Sequence, residues 1–418
     1  MSSSPLPLVA WVRLAFVDVF GTSNALALPA SRFELAESEG VVFDGSALEG
    51  SARSFESDMR LLPDRSTLVA VSPEVARVVC TVLAPDGTPW RGDPRTCLIR
   101  VLDELDDLGA AYRVGAELEY YLMRPDRTPV DGAGYFDDLD GVGLAVSQQA
   151  AQRLLDHGVV VESVHHEAGP GQYEIDLAPL PALHLADAIV LAKETVWRAA
   201  ADAGLVATFM ALPVESRPGS GLHIHQRAGD ELTGADGGLT DLGRSFVAGQ
   251  LAHARGLAAL ASPNVNSYRR LHAGPEAPGA AVWAHNSRAA LIRVSSDLGE
   301  AASVEFRGAD PQANPYLLLA GLLLAGAAGV TAGLELDPPN EESVGGYDPV
   351  ARTTTRYEPL PRSLDEALDA LATDDVLVEG LDSALIDRLV DGRRAESEEY
   401  RNHVTRWELD RYFEGGSS

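Results

Sequence analysis

Lysine is almost missing from this chain: of 33 basic residues one is Lys193 and the rest are arginine. A P-loop requires Gly-x-x-x-x-Gly-Lys-Ser/Thr, and Lys193 sits in Leu191-Ala192-Lys193-Glu194-Thr195 with no glycine ahead of it, which excludes nucleotide chemistry of the Walker type. Any phosphate must be handled by arginine, backbone amides or metal. Cysteine is equally sparse. Cys80 and Cys97 alone make neither a disulfide framework nor a thiolate metal site, and they fit a reducing, cytoplasmic setting. Positive charge is scarce overall, with 33 basic against 62 acidic residues and a net charge of −29. Such a surface repels nucleic acid and anionic lipid, so neither is expected as a partner. The N-terminus has no basic segment followed by an apolar one, so no signal peptide is expected. One long apolar run exists, Leu317 to Leu334. It is close to the minimum for a bilayer span, but it holds four glycines and no basic flank, and it reads as a helix buried on all sides.

What is present is an ordinary globular composition. The 418 residues are 45% hydrophobic, enough for two or three domains with large cores. Residues 8 to about 98 are rich in strands, such as Val9–Val17 and Ser66–Ser72, with Asp86-Gly87 as a hairpin turn. From Thr96 to Leu108 the apolar period becomes helical, which places a domain boundary between residues 97 and 98. The remainder alternates helices (148–157 and 182–203) with strands. Ser363 to Glu366 reads as a capping box opening a helix, 337–361 as a long loop, and 383–412 as one charged helix.

Four short strands repeat one device. Residues i and i+2 of a strand share a face. Glu117 and Glu119 do so, as do Glu174 and Asp176, His223 and His225, and Glu305 and Arg307. A solvated strand face accounts for any single pair. Four pairs in one domain, together with His165-His166-Glu167 ahead of a Gly-Pro-Gly turn, point instead to a polar cavity. Carboxylates with one or two imidazoles suit Mg²⁺ or Mn²⁺. Arginines facing the same cavity hold carboxylate or phosphate by paired hydrogen bonds. The residues alone therefore indicate a metal-dependent enzyme that handles phosphoryl groups.

These segments resemble, in order and over nearly the whole chain, the glutamine synthetase family. The resemblance rests on Val42–Gly50, Ala84–Trp90, Gly115-Ala-Glu-Leu-Glu119, His165–Glu174, Gly219-Ser-Gly-Leu-His-Ile-His225, Asn266–Leu271, Gly274–Pro278, Asn286–Arg293 and Val304–Tyr316. It implies an α+β protein: a β-grasp domain over 1–97, then a catalytic domain over 98–418 with a curved antiparallel sheet forming a half-barrel. It implies an ATP-dependent ligase that phosphorylates the γ-carboxylate of glutamate and condenses it with ammonia or a small amine. Two or three Mg²⁺ or Mn²⁺ ions per site are implied, in a cytoplasmic homo-oligomeric ring, a dodecamer by resemblance. Glu119, Glu167 and Glu174 would hold one metal, and Glu117, His223 and Glu305 another. Gly219, Arg270 and Arg307 would bind glutamate, while Glu162, His225 and Arg293 would line the nucleotide. Arg288 would stabilise the transferring phosphoryl group. Glu276 resembles a flap base, and Asp44 resembles the residue that binds the ammonium-like acceptor from a neighbouring subunit.

Three positions depart from the family pattern: Ala47 stands where serine is usual, Pro218 where asparagine is usual, and Ser303 where arginine is usual. They raise two alternatives, a γ-glutamyl-amine ligase acting on larger amines such as polyamines and a non-catalytic structural or nitrogen-sensing member of the family.

Overall fold

The computed structural model describes residues 6–48, 58–137, 141–228, 231–271, 277–295, 302–341 and 357–413. The N-terminal part is built from β1 (Trp11–Val17), β2 (Ser23–Pro29), α1 (Phe33–Glu39), β3 (Val41–Asp44), β4 (Asp58–Ser72) and β5 (Val75–Leu83). They form a sheet of order β2-β1-β5-β4-β3 in which β1 and β5 run parallel and their other neighbours antiparallel. Its own core gathers Val12, Leu14, Phe33, Met59, Leu61 and Val78. Asp86-Gly87 turns the chain as expected, with Gly87 at φ 87° and Thr88 donating to the Asp86 carboxylate.

The second part follows with α2 (Pro94–Glu104), α3 (Asp106–Ala111), β6 (Tyr112–Met123), α4 (Val142–Asp156), β7 (Val161–His166), β8 (Gln172–Pro181), α5 (Ala182–Asp202) and β9 (Val206–Thr208). Next come β10 (Leu222–Ala228), α6 (Asp241–Ala252), α7 (Ala254–Ala261), α8 (Ser267–Arg270), β11 (Trp283–Ala284), β12 (Ile292–Ser295) and β13 (Ser303–Phe306). The chain closes with α9 (Pro315–Ala332), α10 (Leu364–Ala372), α11 (Asp375–Leu381), α12 (Ser383–Asn402) and α13 (Arg406–Tyr412). The strands make one curled, half-barrel sheet of order β11-β12-β13-β10-β6-β8-β7, with β9 on the far end of β6. All pairs are antiparallel except β11–β12.

One face of this sheet is apolar. On β6, Ala116, Leu118, Tyr120 and Leu122 are buried against helices, while the alternate residues Glu117 and Glu119 face the other way. The apolar run lies in α9, which packs against α6, α2, α5, α7 and α11 in the core. Asn314 caps it, accepting from the N–H groups of Tyr316 and Leu317, and Gly333 in the left-handed region ends it.

Two local expectations differ from the structure. Ser363 does cap α10 by accepting from Glu366 N–H, but the Glu366 carboxylate turns to Arg362 N–H. The charged C-terminal helix breaks between α12 and α13, because Thr405 and Glu408 form a reciprocal capping box that starts a new helix. Of the long loop expected over 337–361, residues 342–356 lie outside the described residues.

Candidate active site

The polar face of the large sheet is assembled by strand register. His223 lies directly opposite Glu117 across β10 and β6, Glu119 opposite Glu174 across β6 and β8, and His225 opposite Glu305 across β10 and β13. Residues far apart in sequence therefore become cross-strand neighbours on one face. The Glu117 carboxylate accepts from two imidazoles, with His223 Nδ1 at 2.6 Å and His225 Nε2 at 2.8 Å. Glu305 is fully buried, accepts from Arg307 and from Arg293, and comes within 3.8 Å of His223 Nδ1. On the other side of β6, His165 Nε2 lies 3.2 Å from Glu174 Oε1 and His165 Nδ1 lies 3.7 Å from Glu167 Oε1.

Between these groups the backbone makes room. A Cβ placed on Gly221 would lie 2.7 Å from Arg270 Nη2, 2.7 Å from His223 Nε2 and 3.0 Å from Glu119 Oε1. Three charged or titratable side chains thus converge on one point that only glycine leaves open. Gly219 is confined in the same way, since its Cβ would lie 2.6 Å from the Ala211 carbonyl oxygen. Its own carbonyl accepts from Gln172 at 3.1 Å.

The electrostatics follow from crowding. Burial opposes charge on Glu117, but the hydrogen bonds from His223 and His225 outweigh it and hold the carboxyl well below the usual carboxylate range. Burial likewise opposes charge on Glu305, and Arg307 with the two histidines lowers it. At Glu167 and Glu174 burial and like charge prevail over the neighbouring cations. Burial, reinforced by Glu119, pushes the Glu167 carboxyl up to about 8. Burial and then Glu119, Glu117, Asp176 and Glu167 push Glu174 upward. A stack of like charges of this kind wants a cation.

The donor set fits a divalent metal. Among the described residues, Glu117–His223–Glu305 and His165–Glu174–Asp176 each bring three ligand atoms within 4.8 Å of one another. Asp176 Oδ1 is buried without a hydrogen-bond partner. The donors are oxygens and imidazole nitrogens, which suits Mg²⁺ or Mn²⁺.

The model of the glutamine synthetase catalytic domain matches residues 91–412, and the model of the glutamine synthetase β-grasp domain matches residues 8–85. The chain belongs to the glutamine synthetase family. It is 37% identical to the glutamine synthetase of Methanococcus maripaludis over 97% of this chain and 96% of that one. It is 38% identical to that of Mycobacterium tuberculosis, again over 97% and 96%. Among solved structures it resembles GmaS in complex with ADP, at 28% identity and a TM-score of 0.87, covering 97% of both chains.

Within this glutamine synthetase fold the residues singled out from the sequence fall into two groups. Glu117, Glu119, Glu167, Glu174, His223, His225, Glu305, Arg307, Arg293, Arg270 and Gly219 come together on or beside the polar sheet face. Arg288 joins them from the loop before β12, close enough to Glu167 to favour its charge, and its carbonyl accepts from Arg307 Nε at 3.0 Å. Glu162 joins by way of a β-bulge. Val161 and Val164 both pack on the core, so the extra residue leaves Glu162 and Ser163 exposed together opposite Asp176.

Asp44 stands apart. It ends β3, the outer strand of the N-terminal sheet, and its exposed carboxylate accepts from Ser46 N–H and Ser46 Oγ. Glu276 and the side chain of Ala47 lie outside the described residues. The two other departures have partners: the Pro218 carbonyl accepts from Tyr121 OH at 2.6 Å, and Ser303 Oγ lies 3.1 Å from His225 Nδ1.

Three further positions at the site are not marked by any of the four strand pairs in the sequence. Gly221, inside the Gly219–His225 motif, leaves the opening itself. Gln172 is buried and donates one amide to both Glu119 Oε2 (2.8 Å) and the Gly219 carbonyl. Tyr135 lies beside Glu167, Arg288 and Glu174, burial and Glu167 raising its phenol pKa, and its ring centroid lies 4.1 Å from that of Phe136 at a tilt and 5.8 Å from that of His165 edge-on. Tyr135-Phe136 follows Gly-Ala-Gly in a loop, where no strand period marks its direction. The glycine-flanked aromatic pair was the only available signal.

Proposed function

We propose that the chain is an ATP-dependent carboxylate–amine ligase that forms a γ-glutamyl amide from glutamate and ammonia or a small primary amine. The observation that carries this reading is the convergence of Glu119, His223 and Arg270 on one point above Gly221. It sets metal-type ligands beside an arginine whose buried Nη1 has no hydrogen-bond partner. The Nη2 of the same guanidinium faces the opening, where a substrate carboxylate is the partner it binds best.

The chemistry runs in two steps. A carboxylate is a poor electrophile, so an oxygen of the glutamate γ-carboxylate attacks the γ-phosphorus of ATP, the β,γ-bridging bond breaks, and ADP leaves. The amine nitrogen then attacks the acyl phosphate carbon, phosphate departs, and the amine proton passes to a carboxylate base. Glu117, His223 and Glu305, and Glu119, Glu167 and Glu174, would hold the two metals. Bound divalent cations supply charge neutralisation for the polyphosphate and for the crowded carboxylates. Arg270 orients glutamate, and Arg307 and Arg293 are held in place by Glu305. Arg288 meets charge building on the phosphoryl oxygens. Glu162 and His225 border the nucleotide. Asp44 binds the cationic acceptor and Glu276 takes its proton. Because Asp44 sits on the outer edge of the N-terminal sheet, it would serve a neighbouring copy in a ring, with a dodecamer the assembly that the family resemblance implies.

A second reading, an acceptor larger than ammonia, is favoured by Tyr135 and Phe136. Two aromatic rings, 43% and 63% exposed, offer a face to the alkyl part of an amine at the mouth of the site. The similarity to GmaS also supports it. Phosphate release measured with glutamate, ATP and Mg²⁺ or Mn²⁺ across ammonium, methylamine, ethanolamine, putrescine and spermine separates the two readings. Turnover with no acceptor under any salt condition defeats both, and absence of metal-dependent ATP binding by calorimetry then supports a non-catalytic role.

A further inference from the structure

Glu167 sits on the turn between β7 and β8, where its N–H donates to the Gln172 carbonyl at 2.8 Å and its carboxylate accepts from Ala168 N–H at 2.9 Å; its own carbonyl is held, through His166, from another loop. Asp131, in the loop that follows β6, reaches across to this turn. Its Oδ1 accepts from Gly171 N–H at 2.8 Å, from His166 Nε2 at 3.0 Å and from Ala133 N–H at 3.2 Å. Its Oδ2 accepts from Tyr173 OH at 2.8 Å. His166 passes the connection on, with Nδ1 lying 2.6 Å from the carbonyl oxygen of Glu167. The buried His166 ring packs edge-on against Tyr173 at 4.7 Å. The same carboxylate anchors the start of the loop that bears Tyr135, which is closed further on by Phe136 N–H donating to the His166 carbonyl at 3.2 Å. One side chain thus clasps the two loops that frame the Glu167 side of the site. Its loss leaves four donors short of the partner they share.

We propose that Asp131 is a positioning residue that, through His166 and Gly171, sets the Glu167 carboxylate for metal and aligns the Tyr135 loop with it. This rests on the reading of Glu167 as a metal ligand. Outer-layer partners of metal ligands alter affinity by about 10- to 100-fold when removed. Mn²⁺ binding to the full-length protein, followed by electron paramagnetic resonance without substrates, tests the assignment. Asp131→Asn keeps the shape but exchanges one acceptor oxygen for a donor, and is expected to weaken one class of Mn²⁺ site about tenfold. The other class, on Glu117, His223 and Glu305, is expected to stay unchanged. Tyr173→Phe removes one of the four donors and is expected to give a smaller shift in the same class. Unchanged Mn²⁺ binding in the folded variants, or in Tyr173→Phe alone if Asp131→Asn does not fold, overturns the assignment. Equal weakening of both classes also overturns it, because it indicates general loosening. If the wild-type protein binds no Mn²⁺, the metal-site reading itself fails and the inference falls with it.

Discussion

His223 and Glu117 face each other across adjacent antiparallel strands, and the imidazole Nδ1 stands 2.6 Å from the carboxylate. The contact fixes the ring so that Nε2 points toward Glu119 and the opening above Gly221. His223→Ala is expected to lower turnover at least about 100-fold and to raise the metal concentration needed for half-activation. Circular dichroism should show the fold retained, since the neighbouring core residues Leu222 and Ile224 are untouched. Turnover within a few-fold of wild type would remove His223 from the metal set.

If Asp44 serves a neighbouring copy, two inactive variants should rescue each other. Asp44→Ala and Glu119→Gln, mixed and reassembled, are expected to regain activity that neither has alone. Some sites then draw an intact Asp44 from one copy and an intact Glu119 from another. Absence of rescue in mixed assemblies, verified by native mass spectrometry, would place both residues in the same copy or remove Asp44 from the site.

Phe136 tests the acceptor. Phe136→Ala is expected to raise KM several-fold for an alkylamine while leaving ammonium turnover unchanged, because only the alkyl part uses the ring face. An equal effect on both acceptors would deny it a role in selection.

Lys193 is buried in α5, donates to the Pro311 carbonyl at 2.7 Å, and lies near the equally buried Asp310. Burial lowers its pKa to about 8, with Asp310 opposing the shift. Compared with 10.5 in the unfolded chain, keeping the charge inside costs about 3 kcal/mol below pH 8. That cost fades as pH rises from about 8 toward 10.5, where the folded protein holds a neutral amine. Any stability gained by Lys193→Met should therefore be largest near pH 7 and shrink by pH 10, as measured by urea unfolding. A difference independent of pH would contradict this. Amine-reactive labelling of the folded wild type should leave Lys193 unmodified.

Much of the site was legible because strands write their faces into the sequence. The alternation of Glu117 with Glu119 and of His223 with His225 identified one polar face before any register was known. The pairing of those strands, which sets His223 against Glu117, is a long-range fact that no local pattern encodes. Residues off the strands were harder to place. Asp131 and Tyr135 lie in the loop after β6, where side-chain direction depends on backbone geometry. Glu162 reaches the polar face only because a bulge breaks the alternation. The break between α12 and α13 was written in the Thr405-x-x-Glu408 pattern but masked by the charged stretch around it.

The central claim is that glutamate is activated as an acyl phosphate in the site around Gly221. Glutamate labelled with ¹⁸O in its γ-carboxylate, turned over with ATP, metal and the preferred amine, tests it most directly. The account predicts one ¹⁸O atom in each inorganic phosphate released, read by mass spectrometry. Amide formation with no ¹⁸O in the phosphate would contradict it.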